Sequence, residues 1–369
     1  MRKLLQFDVI LDNVVAVYYS GQTLSGQILI VLSEAKRFDK ILVELKGKAK
    51  TSWSRHHGKS STHYTAEELY FNTAIDCTQT DTEAYASDGK LAPGEHRIPF
   101  SFTLPENLPS SFEGPHGHIR YTITARLART WKFDITCKRA FTTIAKEDLN
   151  LMHGVTSPLQ LVETATVHCC CLPRGTVSLT LTVPKRGFVP GEAIPLSYEI
   201  VNNCSDKIGP FIARMKQYVV YKGQSFWGFE DQRTVSTEVT RMCGVERVDS
   251  GSVYQSNNQF LAVPPVPPSL IDCRIIDISY SLKIDLDCYI NCALPLIIGT
   301  MPLRESFYST SNLAINGVSD PPPPYMETPP PSYAECVLGQ YSIAEDEDGE
   351  HIVGGNLMFT PRYAFYGAG

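Results

Sequence analysis

Shifted by 170 residues, the first half of this sequence falls on the second. Gly21-Gln22-Thr23-Leu24 lands on Gly191-Glu192-Ala193-Ile194, and the apolar positions Leu24, Ile28 and Ile30 land on Ile194, Tyr198 and Ile200. Without a gap, Ile41, Val43 and Leu45 then meet Phe211, Ala213 and Met215. A second block matches at a shift of 159, with Ile119, Tyr121, Ile123, Ala125 and Leu127 against Ile278, Tyr280, Leu282, Ile284 and Leu286. Both blocks alternate with period two, which places every second side chain on one face of a strand. Two blocks repeated in the same order predict two units of one topology in tandem, not one large barrel. The sequence shows no long capped run of 3.6-residue period, and breakers such as Pro93-Gly94 and Gly114-Pro115 punctuate the apolar runs. Many strands joined by short turns make sandwiches. The expected fold class is therefore all-β: two tandem immunoglobulin-like β-sandwich domains followed by a disordered Pro-rich tail.

The expected boundaries follow from composition. A first sandwich covers residues 1–150 and a linker covers 151–175, where Gly154, Pro158, Pro173 and Gly175 surround Cys169-Cys170-Cys171. A second sandwich covers 176–303, and from 304 to 369 the composition turns to Ser, Asn, Gly and Pro. Such stretches bury too little apolar surface to offset the entropy of ordering. Charge divides in the same way: residues 304–369 carry −7 and residues 1–303 carry +1. A balanced body with an acidic tail does not suggest a nucleic-acid partner. No window of about 18 uninterrupted apolar residues predicts a membrane span. Gln6, Asp8 and Asp12 interrupt any apolar run behind Met1-Arg2-Lys3, so the N-terminus is read as a first strand and not a signal peptide. The 11 cysteines are then expected as reduced thiols in a cytosolic protein.

The tail holds one pattern twice, Pro322-Pro323-Pro324-Tyr325 and Pro330-Pro331-Ser332-Tyr333. Proline fixes φ and lacks an N–H, so these runs favour polyproline II, an extended helix with a solvated backbone. Docking such a preset segment into an aromatic-lined groove costs little further entropy. The prolines stack on the groove while the tyrosine fills a neighbouring pocket, which is how WW domains take their ligands. A stiff linker is the alternative for one copy; two copies eight residues apart favour recognition. At about 3.1 Å per residue that separation spans about 25 Å. If two WW domains fit on it together, linkage raises avidity; if they do not, the copies double the statistical chance of capture.

With these features in hand the chain resembles the α-arrestins, the arrestin-domain-containing branch of the arrestin superfamily. The resemblance rests on Phe7-Asp8-Val9-Ile10-Leu11-Asp12, Tyr18-Tyr19-Ser20-Gly21-Gln22, and the run from Leu104-Pro105 to Phe112-Glu113-Gly114. In the second half it rests on Lys185-Arg186-Gly187-Phe188-Val189-Pro190-Gly191-Glu192, Val201-Asn202-Asn203 and the run Leu294 to Gly299. Phe359-Thr360-Pro361-Arg362-Tyr363 adds to it in the tail. It implies two arrestin-type sandwiches and an adaptor role without catalysis or cofactor. It also implies HECT-type ubiquitin ligases as tail partners, bound by Pro322, Pro323, Tyr325, Pro330, Pro331 and Tyr333. The body would engage membrane receptor or transporter cargo on the cytosolic face of the plasma membrane and endosomes, as a peripheral and monomeric unit. Endocytosis and endosomal sorting of the ubiquitinated cargo would follow.

Other residues permit more than one reading. His57-Gly58-Lys59-Ser60 contains Gly-Lys-Ser, but Trp53 replaces the first glycine of a phosphate loop. His56, His57 and His63 share a polar segment without a nearby cysteine or acid, so a solvated loop is favoured and no metal is expected. Cys169, Cys170 and Cys171 suit a linker of small buried thiols, S-acylation, or a metal or redox role. Cys288 and Cys292 fall on strand-like sequence and are expected in the core. Lys46, Lys48 and Lys50 share one face of a strand, where they could receive acidic or phosphorylated cargo or simply be solvated. A buried charged core, the trigger of phosphate-selecting arrestins, is not identifiable in the sequence. Two rival functions remain: a redox regulator that binds thioredoxin, with Cys243 as its thiol, and a coat-like trafficking subunit that needs no ligase.

Overall fold

The computed structural model describes residues 4–58, 60–78, 90–169, 172–270, 272–304, 331–344 and 352–367. Among them the first sandwich contains β1 (Leu4–Leu11), β2 (Val17–Tyr19), β3 (Thr23–Leu32), β4 (Lys36–Arg37), β5 (Lys40–His57) and β6 (Ser60–Asp76). It continues with β7 (Lys90–Leu91), β8 (Gly94–Thr103), β9 (Phe112–Gly114), β10 (Gly117–Ala128) and β11 (Ile135–Ile144). The second contains β12 (Leu159–Cys169), β13 (Leu172–Val183), β14 (Gly187–Phe188), β15 (Ala193–Cys204) and β16 (Phe211–Ser225). It ends with β17 (Glu230–Cys243), β18 (Val253–Ala262), β19 (Ile276–Leu286) and β20 (Ile290–Ile298). One face of the first sandwich is the sheet β1-β3-β8, and of the second the sheet β12-β13-β15-β18. The other two faces join into one sheet ordered β14-β20-β19-β16-β6-β5-β10-β11-β2.

The repeat read from the sequence is the fold. Leu24, Ile28 and Ile30 of β3 and Ile194 and Ile200 of β15 are fully buried, as are Ile41, Val43 and Leu45 of β5 and Phe211, Ala213 and Met215 of β16. At about 1.5–3 kcal/mol for each large apolar side chain, these inward faces hold each pair of sheets together. The correspondence extends to polar detail. Tyr121 donates its hydroxyl to the Pro109 carbonyl at 2.7 Å, and Tyr280, its repeat partner on β19, donates to the Pro267 carbonyl at 2.6 Å. Gly21 and Gly191 both adopt positive φ, +79° and +97°, which a side chain would strain.

The sandwiches meet where β6 pairs with β16, at Thr65 with Gln224 and Tyr64 with Ser225. Thr51 donates to the Lys222 carbonyl at 2.7 Å, and Trp53 Nε1 donates to Asp231 at 3.2 Å. Gly223 lets the Trp53 ring approach, since a Cβ there would stand 2.8 Å from the indole.

One expected assignment changes. The linker assigned to 151–175 is largely part of the second sandwich, because β12 pairs along its length with β13. Leu159 and Val167 of that strand are buried, so its apolar alternation is an inward face. The tail assigned to 304–369 as disordered is described only in part. Residues 305–330 and 345–351 lie outside the described residues, whereas β21 (Ser332–Glu335), β22 (Tyr341–Ser342), β23 (Ile352–Gly354), β24 (Met358–Phe359) and β25 (Arg362–Phe365) are strands. Buried Ile343, Phe359, Tyr363 and Ala364 supply the apolar contacts that composition alone hides.

Candidate interaction site

The tail strands pair first with one another. β21 runs antiparallel to β25, setting Ser332 against Phe365, Tyr333 against Ala364, Ala334 against Tyr363 and Glu335 against Arg362. Arg362 Nη2 donates to Glu335 Oε1 at 2.9 Å, and Ser332 Oγ donates to the Phe365 carbonyl at 2.9 Å. β22 pairs with β24, and β23 extends the long sheet by running parallel to β11. Gly354 is required there, because a Cβ would collide with the Phe7 carbonyl.

The paired strands are anchored on both sandwiches. Tyr363 is buried and donates to the Ser111 carbonyl at 2.9 Å; the Arg362 N–H donates to Thr142 Oγ1 at 3.1 Å. Tyr366 reaches the second sandwich, donating its hydroxyl to the Thr300 carbonyl at 2.8 Å and its N–H to the Pro190 carbonyl at 2.9 Å. Burial pushes the Tyr363 phenol far up and lifts Tyr366 to about 12. Burial also lifts the Cys336 thiol to about 11. Val17, Ile144 and Ala364 form one apolar cluster with Tyr19, Tyr333 and Tyr366 against it. Ala140, Ile343 and Phe359 form another.

Of the proposed ligase-binding residues, Pro322, Pro323, Tyr325 and Pro330 lie outside the described residues. Pro331 and Tyr333 are described, and Tyr333 is half-buried in β21, hydrogen-bonded to Tyr19. Burial, with Tyr333 and Tyr366 close by, raises the Tyr19 phenol strongly.

The lysine face does not present three equivalent charges. Lys48 is buried and its Nζ meets Glu67 at 3.5 Å, while Lys46 and Lys50 are half-buried. A bulge between Gly47 and Lys48 in the pairing of β5 with β6 accompanies the change. Cys169 ends β12 opposite Leu172, and Cys170 and Cys171 lie outside the described residues. Cys288, expected in the core, is exposed at the turn from β19 to β20, and Cys292 is half-buried. Cys243 is exposed at the end of β17, with Arg241 Nη2 3.6 Å from its sulfur. His63 shares its ring nitrogens with Ser52 and Ser54 at 3.3 and 3.1 Å.

A charged pair that sequence reasoning missed lies under the tail. Arg120 of β10 donates Nε and Nη2 to the two Glu113 oxygens at 2.7 Å each, and the side chains are 5% and 3% exposed. The same Nη2 donates to the Ser342 carbonyl of β22 at 3.1 Å. Lys48 stands opposite Arg120 across the strand pair, so two cations and two acids share this region. Glu113 sits only seven residues before Arg120, but alternation assigns Arg120 to the outer face of β10, and no local signal shows that the tail covers that face.

Two sandwiches of one topology, sharing a sheet and closed by a returning C-terminal segment, define an arrestin-type tandem. The chain belongs to the arrestin family: residues 7–150 match the family's "Arrestin (or S-antigen), N-terminal domain" and residues 173–303 its "Arrestin (or S-antigen), C-terminal domain". It is 30% identical to Arrestin domain-containing protein 17 of Caenorhabditis elegans, over 99% of this chain and all 100% of that protein. It is 29% identical to Arrestin domain-containing protein 4 of Mus musculus, over 92% of this chain and 82% of the relative. Against Arrestin domain-containing protein 1 of Homo sapiens the identity is 27%, over 97% of this chain and 76% of the relative.

Proposed function

We propose that this arrestin-family chain is a non-catalytic trafficking adaptor that brings WW-domain ubiquitin ligases of the HECT type to membrane cargo. The observation that carries the reading is the pair of Pro-Pro-x-Tyr copies, Pro322 to Tyr325 and Pro330 to Tyr333, attached to an arrestin tandem. The tandem supplies a broad binding surface and the tail supplies a preset extended ligand for the ligase. Ligase-binding contacts are assigned to Pro322, Pro323, Tyr325, Pro330, Pro331 and Tyr333. Half-buried Lys46 and Lys50 remain candidates for acidic cargo segments. In this role the chain works at the cytosolic face of the plasma membrane and endosomes, where ubiquitination directs cargo to endocytosis and sorting.

The test is ligase capture in cells by the intact chain and by Tyr325→Ala/Tyr333→Ala. Capture should vanish in the double variant while each single variant retains part of it. Undiminished capture by the double variant would remove the ligase reading.

A further inference from the structure

Ser332 and Tyr333 of the second Pro-Pro-x-Tyr copy are held in a form a WW groove cannot take. Such a groove needs a polyproline II backbone free of pairing and a tyrosine ring free to enter its pocket. Here Tyr333 lies in a strand register against Ala364, and its side chain packs with Val17, Ile144 and Tyr366 and bonds Tyr19. Tyr19 and Ile144 face each other across the parallel pair of β2 and β11, so the receiving face is part of the sandwich itself. β25 holds the tyrosine there, because Tyr363 and Tyr366 tie that segment to Ser111 and Thr300.

We propose that the face formed by Val17, Tyr19 and Ile144 is a binding site for the chain's own Pro331-Ser332-Tyr333 segment, so that the arrestin body and a WW domain compete for Tyr333. The proposal rests on the ligase reading above. It makes the second copy conditional: a ligase gains Tyr333 only when β21 leaves β25. The linkage is reciprocal, so a ligase bound at Tyr333 weakens the docking of that segment by the factor by which docking weakens the ligase.

Cys336, three residues beyond Tyr333, reports the docked state. Its N–H bonds the Pro361 carbonyl at 2.9 Å, and burial holds its thiol near 11 against an ordinary value of 9.0. Release raises the thiolate fraction about 100-fold, and after the accompanying fall in nucleophilicity its reaction with a disulfide reagent accelerates about tenfold.

The experiment titrates one isolated ligase WW domain against three ligands. They are a synthetic peptide of residues 326–337, the full chain carrying Tyr325→Ala, and that chain with Ala364→Arg. Ala364 is buried against Val17 and Ile144, where a guanidinium has no room. The peptide should bind about tenfold or more tighter than the Tyr325→Ala chain, because only the undocked fraction of the chain is competent. Ala364→Arg should close that gap. Arg362→Glu, a milder change that sets two acids opposite each other, should close part of it. Cys336 labelling, followed by peptide mass spectrometry, should rise with WW saturation. Equal affinity of peptide and full chain, or no gain in either tail variant, overturns the competition while leaving the ligase reading intact. A peptide that does not bind at all overturns both.

Discussion

Removing Glu113 tests whether the buried pair under the tail is a structural requirement. Glu113→Gln leaves the Arg120 guanidinium 5% exposed, with Lys48 opposite it across the strand pair. Breaking a buried pair by removing one partner costs about 3–5 kcal/mol, because the remaining charge keeps its desolvation penalty and loses its compensation. The bidentate geometry at 2.7 Å and the neighbouring cation place the expected loss at the upper end. For a sandwich of this size the loss lowers the midpoint by about 6–20 °C. The control is Glu113→Leu/Arg120→Met, which removes both charges and fills the space; it should fall near the parent or above it. Thermal and urea melts of the full chain, with hydrogen exchange of β10 as the local readout, separate the two. A single variant costing less than about 1 kcal/mol, the range of exposed pairs, would refute the reasoning. So would costs of the two single changes that simply add.

Tyr121→Phe should cost about 1–3 kcal/mol, since the buried Pro109 carbonyl loses its donor. Tyr280→Phe should cost more, because its hydroxyl also accepts from Gln217 Nε2 at 2.8 Å; equal urea midpoints would contradict this. Docking of the tail should weaken as pH rises. Burial holds Cys336 at about 11 and Tyr366 at about 12, above ordinary values of 9.0 and 10.0. The docked tail therefore keeps protons that a released tail gives up. Its stability is full below about pH 9 and falls between about 9 and 12. Limited proteolysis of the tail across that range should rise with pH, and a flat profile would count against burial of these groups.

The inward faces of the sandwiches were legible because period two is a binary signal. Leu24, Ile28 and Ile30, and their counterparts Ile194, Tyr198 and Ile200, declare the same face in both halves. The second layer over β10 and β11 was not legible. Arg120 and Thr122 alternate with Ile119, Tyr121 and Ile123, which reads as a solvated face, yet both are buried, and Arg120 meets the Ser342 carbonyl of the returning tail. The covering strands are two to four residues long and flanked by Pro331, Pro361 and Gly355, too short to show a period of their own. The linker failed for a different reason. Pro173 and Gly175 suggested a break, whereas the register shift between Val167 and His168 absorbs them within one hairpin. Lys48 illustrates a third limit: period two assigns it a face, but its burial and the Glu67 carboxylate decide where its charge goes.

One segment can serve two partners because the conformations they require are neighbours. Polyproline II and antiparallel β differ mainly in φ, about −75° against −140°, with nearly the same ψ. Pro331 is compatible with both, since it lies just outside β21 and no ladder bond is asked of it. Ser332 and Tyr333 need only shift φ to pass from one state to the other. The exchange therefore breaks the short pairing with β25 and the contact of Tyr333 with Tyr19 without unfolding a sandwich. A Pro-Pro-x-Tyr copy placed further from Arg362 and Tyr363 would lack this second partner. Proximity to β25, more than the motif's own sequence, is what makes Tyr333 conditional.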